Sequence, residues 1–175
     1  MNDVIKAMKT RRSIRNFKLD MPSKDDINQI IEAGLYAASS RGRQAVITIA
    51  VTNKELRDRL SAINCKIGGW ENGFDPFYGA PVVLIVLSEK GLPNRVYDGS
   101  LVMGNMMLAA HSLGLGSCWI HRAKEEFELE EYKNLLSELG VKGEYEGIGH
   151  CVIGYINGEY PTAPKRKENR VFYVE

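Results

Sequence analysis

Three arginines surround one serine near the amino terminus, in the stretch Arg11-Arg12-Ser13-Ile14-Arg15. A guanidinium group binds tetrahedral or planar oxyanions through paired hydrogen bonds, so this cluster suits a phosphate or a delocalised anion. In an extended segment the side chains alternate between two faces, and Arg11, Ser13 and Arg15 would then point the same way. A solvated basic turn explains the same residues equally well, so the cluster alone does not identify a binding site.

A second candidate region lies where an apolar stretch, residues 101–113, meets Gly114. Gly114 suits the left-handed C-terminal cap of a helix, and residues 117–120 predict a short buried strand directly after it. Such a tight turn brings backbone amides beside the indole of Trp119, which suits a flat ligand with hydrogen-bonding edges. Small residues are also common where a helix crosses a strand, and core packing is the favoured explanation of this pattern when it is taken alone.

The sequence lacks the motifs of several familiar enzyme classes. It contains no glycine-rich nucleotide fingerprint, no Gly-x-Ser-x-Gly nucleophile, no His-Glu-x-x-His zinc motif and no metal-ligand spacing of cysteine and histidine. His111 and His150 stand in apolar predicted elements and are expected to be satisfied core histidines. Cys118 and Cys151 are expected to be buried, which argues against reactive thiolates. The chain therefore offers no strong acid–base or nucleophilic machinery of its own.

The composition is that of an ordinary soluble globular chain. Of 175 residues, 44% are apolar and 26% are charged, which suits one domain with a substantial core. The net charge of +1 gives no global reason to expect nucleic acid or an anionic membrane as a partner. The amino terminus has no signal-peptide pattern, and the widely separated, odd number of cysteines fits a reducing compartment, so a cytoplasmic location is expected.

Hydrophobic periodicity predicts helices at residues 2–10, 23–38, 54–63, 101–113 and 129–139, and strands at 46–51, 82–87, 117–120 and 147–156. These elements indicate a single α+β domain, residues 1–175, around a four- or five-stranded sheet. The helix at 101–113 is apolar on nearly every side and is expected to be buried on all sides.

Two segments do not fit this simple pattern. Residues 64–79 contain several aromatic side chains without a clean period, and they either form the wall of a site or cover core surface. The apolar end at 171–174 follows an extended basic segment, which suggests that it packs onto another subunit. With basic side chains near both ends of the chain, these parts suit a flat, phosphorylated molecule better than hydrolysis, and a cofactor would then provide the reactivity.

Five stretches together resemble the FMN-dependent nitroreductases: RRSIRNF at 11–17, AASSRGRQ at 37–44, FYGAPVVLIVL at 77–87, GLGSCWI at 114–120 and PKRK at 164–167. Their order and spacing are more specific than any one of them, and the resemblance covers nearly the whole chain. It implies an α+β, nitroreductase-like fold with a mixed, mostly antiparallel sheet flanked by helices. It also implies a homodimer with FMN at the interface, each cofactor contacted by both chains, and a carboxyl-terminal arm that packs on the partner.

The resemblance also assigns cofactor contacts, which are Arg11, Arg12, Ser13, Arg15, Ser39, Ser40, Gln44, Asn72, Trp119, Ile120, His121, Lys165 and Lys167. It implies that residues 11–13 and the two lysines bind the phosphate end of FMN, and that Arg15 lies beside flavin N1 and O2. It implies that the loop at 39–40 reaches the flavin of the opposite subunit. Residues 119–121 would cross the ring, where a backbone N–H faces N5. Ala45 and Val46 depart from the family's Gln-Pro-Trp element, which follows Gln44.

The function implied by the resemblance is an NAD(P)H oxidoreductase without a catalytic side chain. Hydride passes from NADH or NADPH to flavin N5, and a small-molecule oxidant such as a nitroaromatic or a quinone then enters the same open face. One alternative is a flavin-binding regulatory or sensor protein of the same fold with little turnover. Another is specialised flavin chemistry on this scaffold, such as dehalogenation or enone reduction.

Overall fold

The computed structural model describes residues 2–175, which form four strands and six α-helices. In chain order they are α1 (Asp3–Thr10), α2 (Lys24–Leu35), a 3₁₀ turn (Ser40–Gly42), β1 (Val46–Val51), α3 (Lys54–Gly68), β2 (Val82–Glu89), α4 (Arg95–Ser112), β3 (Gly116–Ile120), α5 (Ala123–Glu126), α6 (Glu130–Glu138) and β4 (Tyr145–Gly154).

The helices begin where the capping residues of the sequence predict. Ser23 accepts a hydrogen bond from the backbone N–H of Asp26 at the start of α2, and Asn53 accepts one from Leu56 at the start of α3. Helix α3 continues to Gly68, beyond the predicted end at residue 63, because the polar Asn64 and the small Cys65 supply its buried face there. The one-turn helix α5 was not predicted.

The four strands form one sheet in the order β1-β2-β4-β3, and every neighbouring pair is antiparallel. This confirms the α+β fold with four strands. A parallel relation occurs at one isolated bridge, between Ser13 and Ser117 on β3. An isolated antiparallel bridge joins Phe17 to Ile156. Residues 13–17 are thereby attached beside β3 and the exit of β4.

Helices cover both faces of the sheet. Alternate residues of β2 face opposite sides, so Leu84 packs in the core under α2 and α4, and Ile85 packs in the core under α3, α5 and α6. The first core includes Ile30 and Met103, which are fully buried. A strand buried on both faces explains the unbroken apolar run of β2 in the sequence.

One face of α4 is open in the single chain, so the expectation that this helix is buried on all sides is wrong at the level of one chain. Tyr97 is 70% exposed and Leu101 is 50% exposed, and Gly104 on the same face is also exposed. Periodicity reports that a helix is apolar all round, but it does not report whether the covering surface comes from the same chain.

The carboxyl-terminal arm, residues 161–175, has no helix or strand, bends at residues 168–169 and is exposed throughout. Its last aromatic residues, Phe172 and Tyr173, are each 84% exposed. Among the helices of residues 2–175, none combines the length and the apolar character that crossing a membrane requires.

The aromatic loop between α3 and β2 covers core surface with one of its rings, which is one of the two roles that the sequence left open. Phe77 is fully buried in the core beneath α3, whereas Trp70 and Phe74 are partly exposed and stack with ring centroids 5.6 Å apart. Asp75 holds the loop, because it pairs with Arg57 at 2.6 Å and accepts a hydrogen bond from Ser61 at 2.6 Å. The Asp75 carboxylate also accepts bonds from two backbone N–H groups of the loop.

Burial alone would raise the pKa of Asp75, but the hydrogen bonds from Arg57, Ser61 and Gly79 outweigh it, and the pKa lies below its ordinary value. A depressed pKa means that the stabilisation is complete above the ordinary aspartate pKa and is lost as the pH falls through the folded-state value. We expect Asp75→Asn to lower the free energy of unfolding by about 2–3 kcal/mol at neutral pH, because it removes the nearer of the two carboxylates that pair with the buried Arg57 and leaves only Asp58, at 3.3 Å. Urea denaturation at pH 7 and pH 3 measures both effects.

The difference between the two proteins should shrink at pH 3, because this pH lies below the ordinary aspartate pKa, where the unfolded wild-type chain takes up a proton before the folded chain does. An Asp75→Asn variant whose stability deficit is the same at both pH values would contradict this role of the carboxylate charge.

Candidate functional site

The arginine-rich segment is fixed to strand β3 by the backbone. The N–H of Ile14 donates to the carbonyl of Ser117 at 2.9 Å, and the side chain of Ile14 is buried in the core. Three side chains of this segment, those of Arg15, Ser13 and Arg11, act on the thiol of Cys118 in β3. Burial raises the pKa of Cys118, and these three side chains oppose the rise.

Two guanidinium nitrogens in this segment are buried without a hydrogen-bond partner among residues 2–175: Nη1 of Arg11 and Nε of Arg12. The Nη1 group of Arg12 donates to the carbonyls of Lys9 and Arg11, at 2.9 and 2.6 Å, so that side chain also caps the end of α1. An unpaired buried donor is unfavourable, and for a charged group the cost is larger. An oxyanion beside Arg11, Arg12 and the hydroxyl of Ser13 would satisfy these donors.

His111 borders the arginines from the end of α4. Its Nε2 lies 2.8 Å from the hydroxyl of Thr10 and its Nδ1 lies 3.2 Å from the hydroxyl of Tyr160. Burial and the nearby charges of Arg11 and Arg12 lower the pKa of His111. The ring is hydrogen-bonded on both nitrogens, as expected, but it is half-buried at the edge of the molecule rather than in the apolar core.

The far end of β3 opens into a groove of about 400 Å³ lined in part by Trp119, His121 and Arg122. The rings of Trp119 and His121 lie 5.9 Å apart, and the indole Nε1 is buried without a partner in the described part of the chain. Ile120 points into the opposite core and is 8% exposed, so only its backbone is available to a ligand.

Arg122 adopts a left-handed conformation with φ of 81°, which costs a side chain other than glycine roughly 1 kcal/mol. This residue turns the chain from β3 into α5. Gly147 on β4 permits the approach of α5, because a Cβ atom at this position would lie 2.2 Å from the carbonyl oxygen of Ala123. A strained residue beside a groove is a feature of functional sites.

The loop at residues 39–44 is attached to helix α4 rather than to strand β3. The N–H of Ser40 donates to Asp98 at 3.0 Å, and Asn94 donates to the Ser40 hydroxyl at 2.8 Å. The hydroxyl of Ser39 accepts a bond from the N–H of Gln44 at 3.1 Å. These contacts fix the loop at the amino-terminal end of α4.

The loop and the arginines are therefore far apart in one chain. Asp98 and His111 are thirteen positions apart on α4, which corresponds to roughly 20 Å along the helix axis. The loop precedes β1 and the arginines lie beside β3, and these are the two edge strands of the sheet. A single chain does not bring Ser39 or Ser40 to the arginine cluster.

Three further predicted contacts lie outside both groups. Asn72 lines a separate cavity of about 600 Å³ together with Trp70 and Phe74. Lys165 and Lys167 stand on the exposed arm, where Lys165 lies 3.7 Å from Glu168.

A model of the nitroreductase family matches residues 8–66 and 69–159. The chain belongs to the nitroreductase family. A nitroreductase from Bacteroides fragilis with bound FMN superposes with a TM-score of 0.88 at 29% identity, covering 100% of both chains. A nitroreductase with bound FMN from Desulfitobacterium hafniense superposes with a TM-score of 0.87 at 28% identity, again covering 100% of both. The FMN reductase [NAD(P)H] of Bacillus subtilis is 30% identical over 139 residues, which is 67% of this chain and 53% of the relative.

The sequence analysis missed a group of residues behind the groove at the far end of β3. Asn64, Glu126 and His150 form a fully buried polar cluster directly behind it. These residues lie on three different elements and have no regular spacing in the sequence. Only the occurrence of polar residues among apolar neighbours could have identified them as candidates. His150 lies in the core, as expected, but the expectation that it is satisfied is wrong: neither ring nitrogen makes a hydrogen bond within residues 2–175, although Nε2 lies 2.7 Å from Oε2 of Glu126.

We expect Gly149→Ala to displace the indole of Trp119, because the added Cβ would lie 2.5 Å from its Nε1 atom. The tryptophan emission should shift to longer wavelength as the ring moves toward water, and the free energy of unfolding should fall by about 1–3 kcal/mol. Emission from Gly149→Ala that coincides with the wild type would show that the indole is not held against this strand.

Proposed function

We propose that the chain is an FMN-dependent NAD(P)H oxidoreductase that acts as a homodimer with two cofactor sites. The observation that carries the proposal is the pair of buried, unpartnered guanidinium donors of Arg11 and Arg12 beside Ser13. The phosphate of FMN supplies the acceptors that these donors lack, and an arginine pair binds a tetrahedral oxyanion in a defined geometry. The FMN bound to both solved relatives, and the FMN and NAD(P)H in the name of the Bacillus relative, support this choice of ligands.

Strand β3 and the segment beside it would supply the other contacts to the cofactor. The segment runs parallel to β3 from the bridge between Ser13 and Ser117, so Arg15 lies on the Trp119 side of the arginine pair. A cation in this position stabilises negative charge on a ring beside it, and the attraction is larger where water is excluded. The backbone of residues 119–121 and the unpartnered indole N–H supply donors to the edge of a flat ring.

Bound FMN would accept hydride from NADH or NADPH and pass the electrons to a second substrate. The side chains of this chain would bind and orient the partners, and none is required as a nucleophile. The groove is flanked by the apolar Val96 and Ile148 as well as by Trp119, which suits a planar aromatic oxidant such as a nitroaromatic or a quinone.

A second copy of the chain completes each site. Helices α1, α2 and α4 expose apolar side chains on this side of the sheet, among them Val4, Ile5, Met8, Leu35, Tyr36, Val96, Tyr97 and Leu101. A patch of this kind on one layer marks an interaction surface. A two-fold partner placed on it would bring the Ser39–Ser40 loop of one chain to the arginines of the other, over a distance that one chain does not bridge. The exposed arm with Lys165 and Lys167 would then lie on the partner.

The cofactor assignment is tested by visible absorption and anaerobic reduction. Purified protein, or protein given FMN, should show a flavin spectrum that bleaches on addition of NADH or NADPH and returns with a nitroaromatic or a quinone. Riboflavin, which lacks the phosphate, should bind at least about tenfold more weakly, and Arg11→Ala should remove most of this difference. Protein that takes up no FMN would refute the proposal, and FMN that is bound but not reduced would identify a binding protein without this activity.

We expect Leu101→Arg to produce monomers that no longer retain FMN, because a buried unpaired charge at the interface is strongly unfavourable. Leu101 is 50% exposed in the single chain, so the fold itself should tolerate the change. Leu139→Arg is the matched control, since Leu139 is 54% exposed next to α6 on the other side of the sheet. Light scattering and flavin content measure the result, and a Leu101→Arg dimer with full flavin content would contradict the proposed interface.

A further inference from the structure

A buried polar cluster lies behind the groove, on the α3 side of the sheet. Asn64 of α3, Glu126 of α5 and His150 of β4 are each 0% exposed. The side-chain N–H₂ of Asn64 donates to Oε1 of Glu126 at 2.7 Å and to the carbonyl of His121 at 2.8 Å. The other carboxylate oxygen of Glu126 lies 2.7 Å from Nε2 of His150.

This cluster is an unfavourable way to fill a core. The side-chain oxygen of Asn64 and the Nδ1 atom of His150 have no hydrogen-bond partner within residues 2–175. Apolar side chains of similar size would pack among the neighbouring Leu60, Phe77 and Phe127 without this cost. The one bond of the cluster that leaves it for the backbone goes to His121, at the exit of β3.

That bond determines the direction of one peptide group. The carbonyl of His121 and the N–H of Arg122 belong to the same planar, trans peptide, so they point in opposite directions. Because Asn64 holds the carbonyl toward the core, the N–H of Arg122 points away from the core, on the side of the groove that His121 and Arg122 line.

The neighbouring backbone is held in the same arrangement. Arg122 has φ of 81°, and its carbonyl accepts a bond from the N–H of Glu126 at 3.0 Å, which begins the turn of α5. Glu126 then returns its carboxylate to Asn64. The His121–Arg122 peptide is therefore held on both sides, by Asn64 at the carbonyl of His121 and by the turn that begins at Arg122. Backbone strain of this kind persists only where the surrounding structure fixes it.

We propose that Asn64 is a positioning residue of the flavin site: supported by Glu126 and His150, it orients the His121–Arg122 peptide so that a backbone N–H is presented to the reactive edge of the flavin ring. This inference rests on the proposed function. Asn64 does not touch the cofactor in this arrangement, and its effect passes through one peptide group. A donor held in place before the ligand binds polarises the ring more strongly than one that must first reorient.

The test compares Asn64→Ala with Ser61→Ala in protein loaded with FMN. Ser61 lies one turn earlier on α3, is 5% exposed, and donates its hydroxyl to Asp75 rather than to the groove. Sulfite, which adds to flavin N5, reports on the polarisation of that atom, and the midpoint potential of the flavin provides a second readout. We expect Asn64→Ala to weaken sulfite binding at least about tenfold and to lower the midpoint potential, with the dissociation constant of FMN changed by less than about threefold.

Ser61→Ala should lower the thermal stability while sulfite binding and potential stay at the wild-type values. Glu126→Gln keeps the shape of the cluster and should shift both readouts in the direction of Asn64→Ala, by a smaller factor, which covers the case in which Asn64→Ala does not fold. The inference would be overturned if Asn64→Ala bound sulfite as the wild type does and had the wild-type flavin midpoint potential. If only Glu126→Gln folds, the same result in that variant would overturn it. Equal shifts in Ser61→Ala would also overturn it. Wild-type protein that binds no FMN would instead refute the proposed function.

Discussion

The attachment of residues 13–17 to the sheet is the contact on which the rest of the site depends. Ser13 bridges to Ser117 and Phe17 bridges to Ile156, so a segment outside the regular strands becomes an extra half-strand beside β3. Ile14 and Phe17 are buried at 3% and 4% exposure and hold the segment by its apolar side. Two guanidinium nitrogens at the start of this segment, Nη1 of Arg11 and Nε of Arg12, are buried without a hydrogen-bond partner within residues 2–175. In the proposed function the fold maintains this unpaired charge because a phosphorylated ligand neutralises it.

The helices on the two faces of the sheet have different roles around β3. The α3 and α5 side closes the back of the groove through Asn64 and Glu126, with fully buried contacts that lie within one chain. The α2 and α4 side exposes apolar surface and holds the Ser39–Gln44 loop at the end of α4 remote from the arginines. This asymmetry suits the proposed shared site: one face of each chain is closed by its own residues, and a second chain would complete the other.

Much of the fold could be predicted because the relevant information is local. The caps at Ser23 and Asn53 and the unbroken apolar run of β2 specify their elements directly. The exposure of Leu101 could not be predicted, since an apolar helix has the same pattern whether its own chain or a partner covers it. The cluster of Asn64, Glu126 and His150 was also inaccessible, because α3, α5 and β4 meet only in the tertiary fold. Within the candidate site, the alternation of Arg11, Ser13 and Arg15 was predictable, but the separation of the loop at 39–44 from them was not.

The central claim is that each cofactor site takes its arginines from one chain and its serine loop from the other. Two variants test it directly: Arg11→Ala, and Ser39→Asp, which keeps an acceptor for the N–H of Gln44 but adds a repelling charge. Each pure variant should bind FMN at least about tenfold more weakly than the wild type. When equal amounts are unfolded and refolded together, half of the dimers are mixed, and each mixed dimer regains one site with both elements intact, so about a quarter of all sites should bind FMN. No recovery of FMN binding in refolded mixed dimers would contradict the account, because sites built within single chains would each retain one defect.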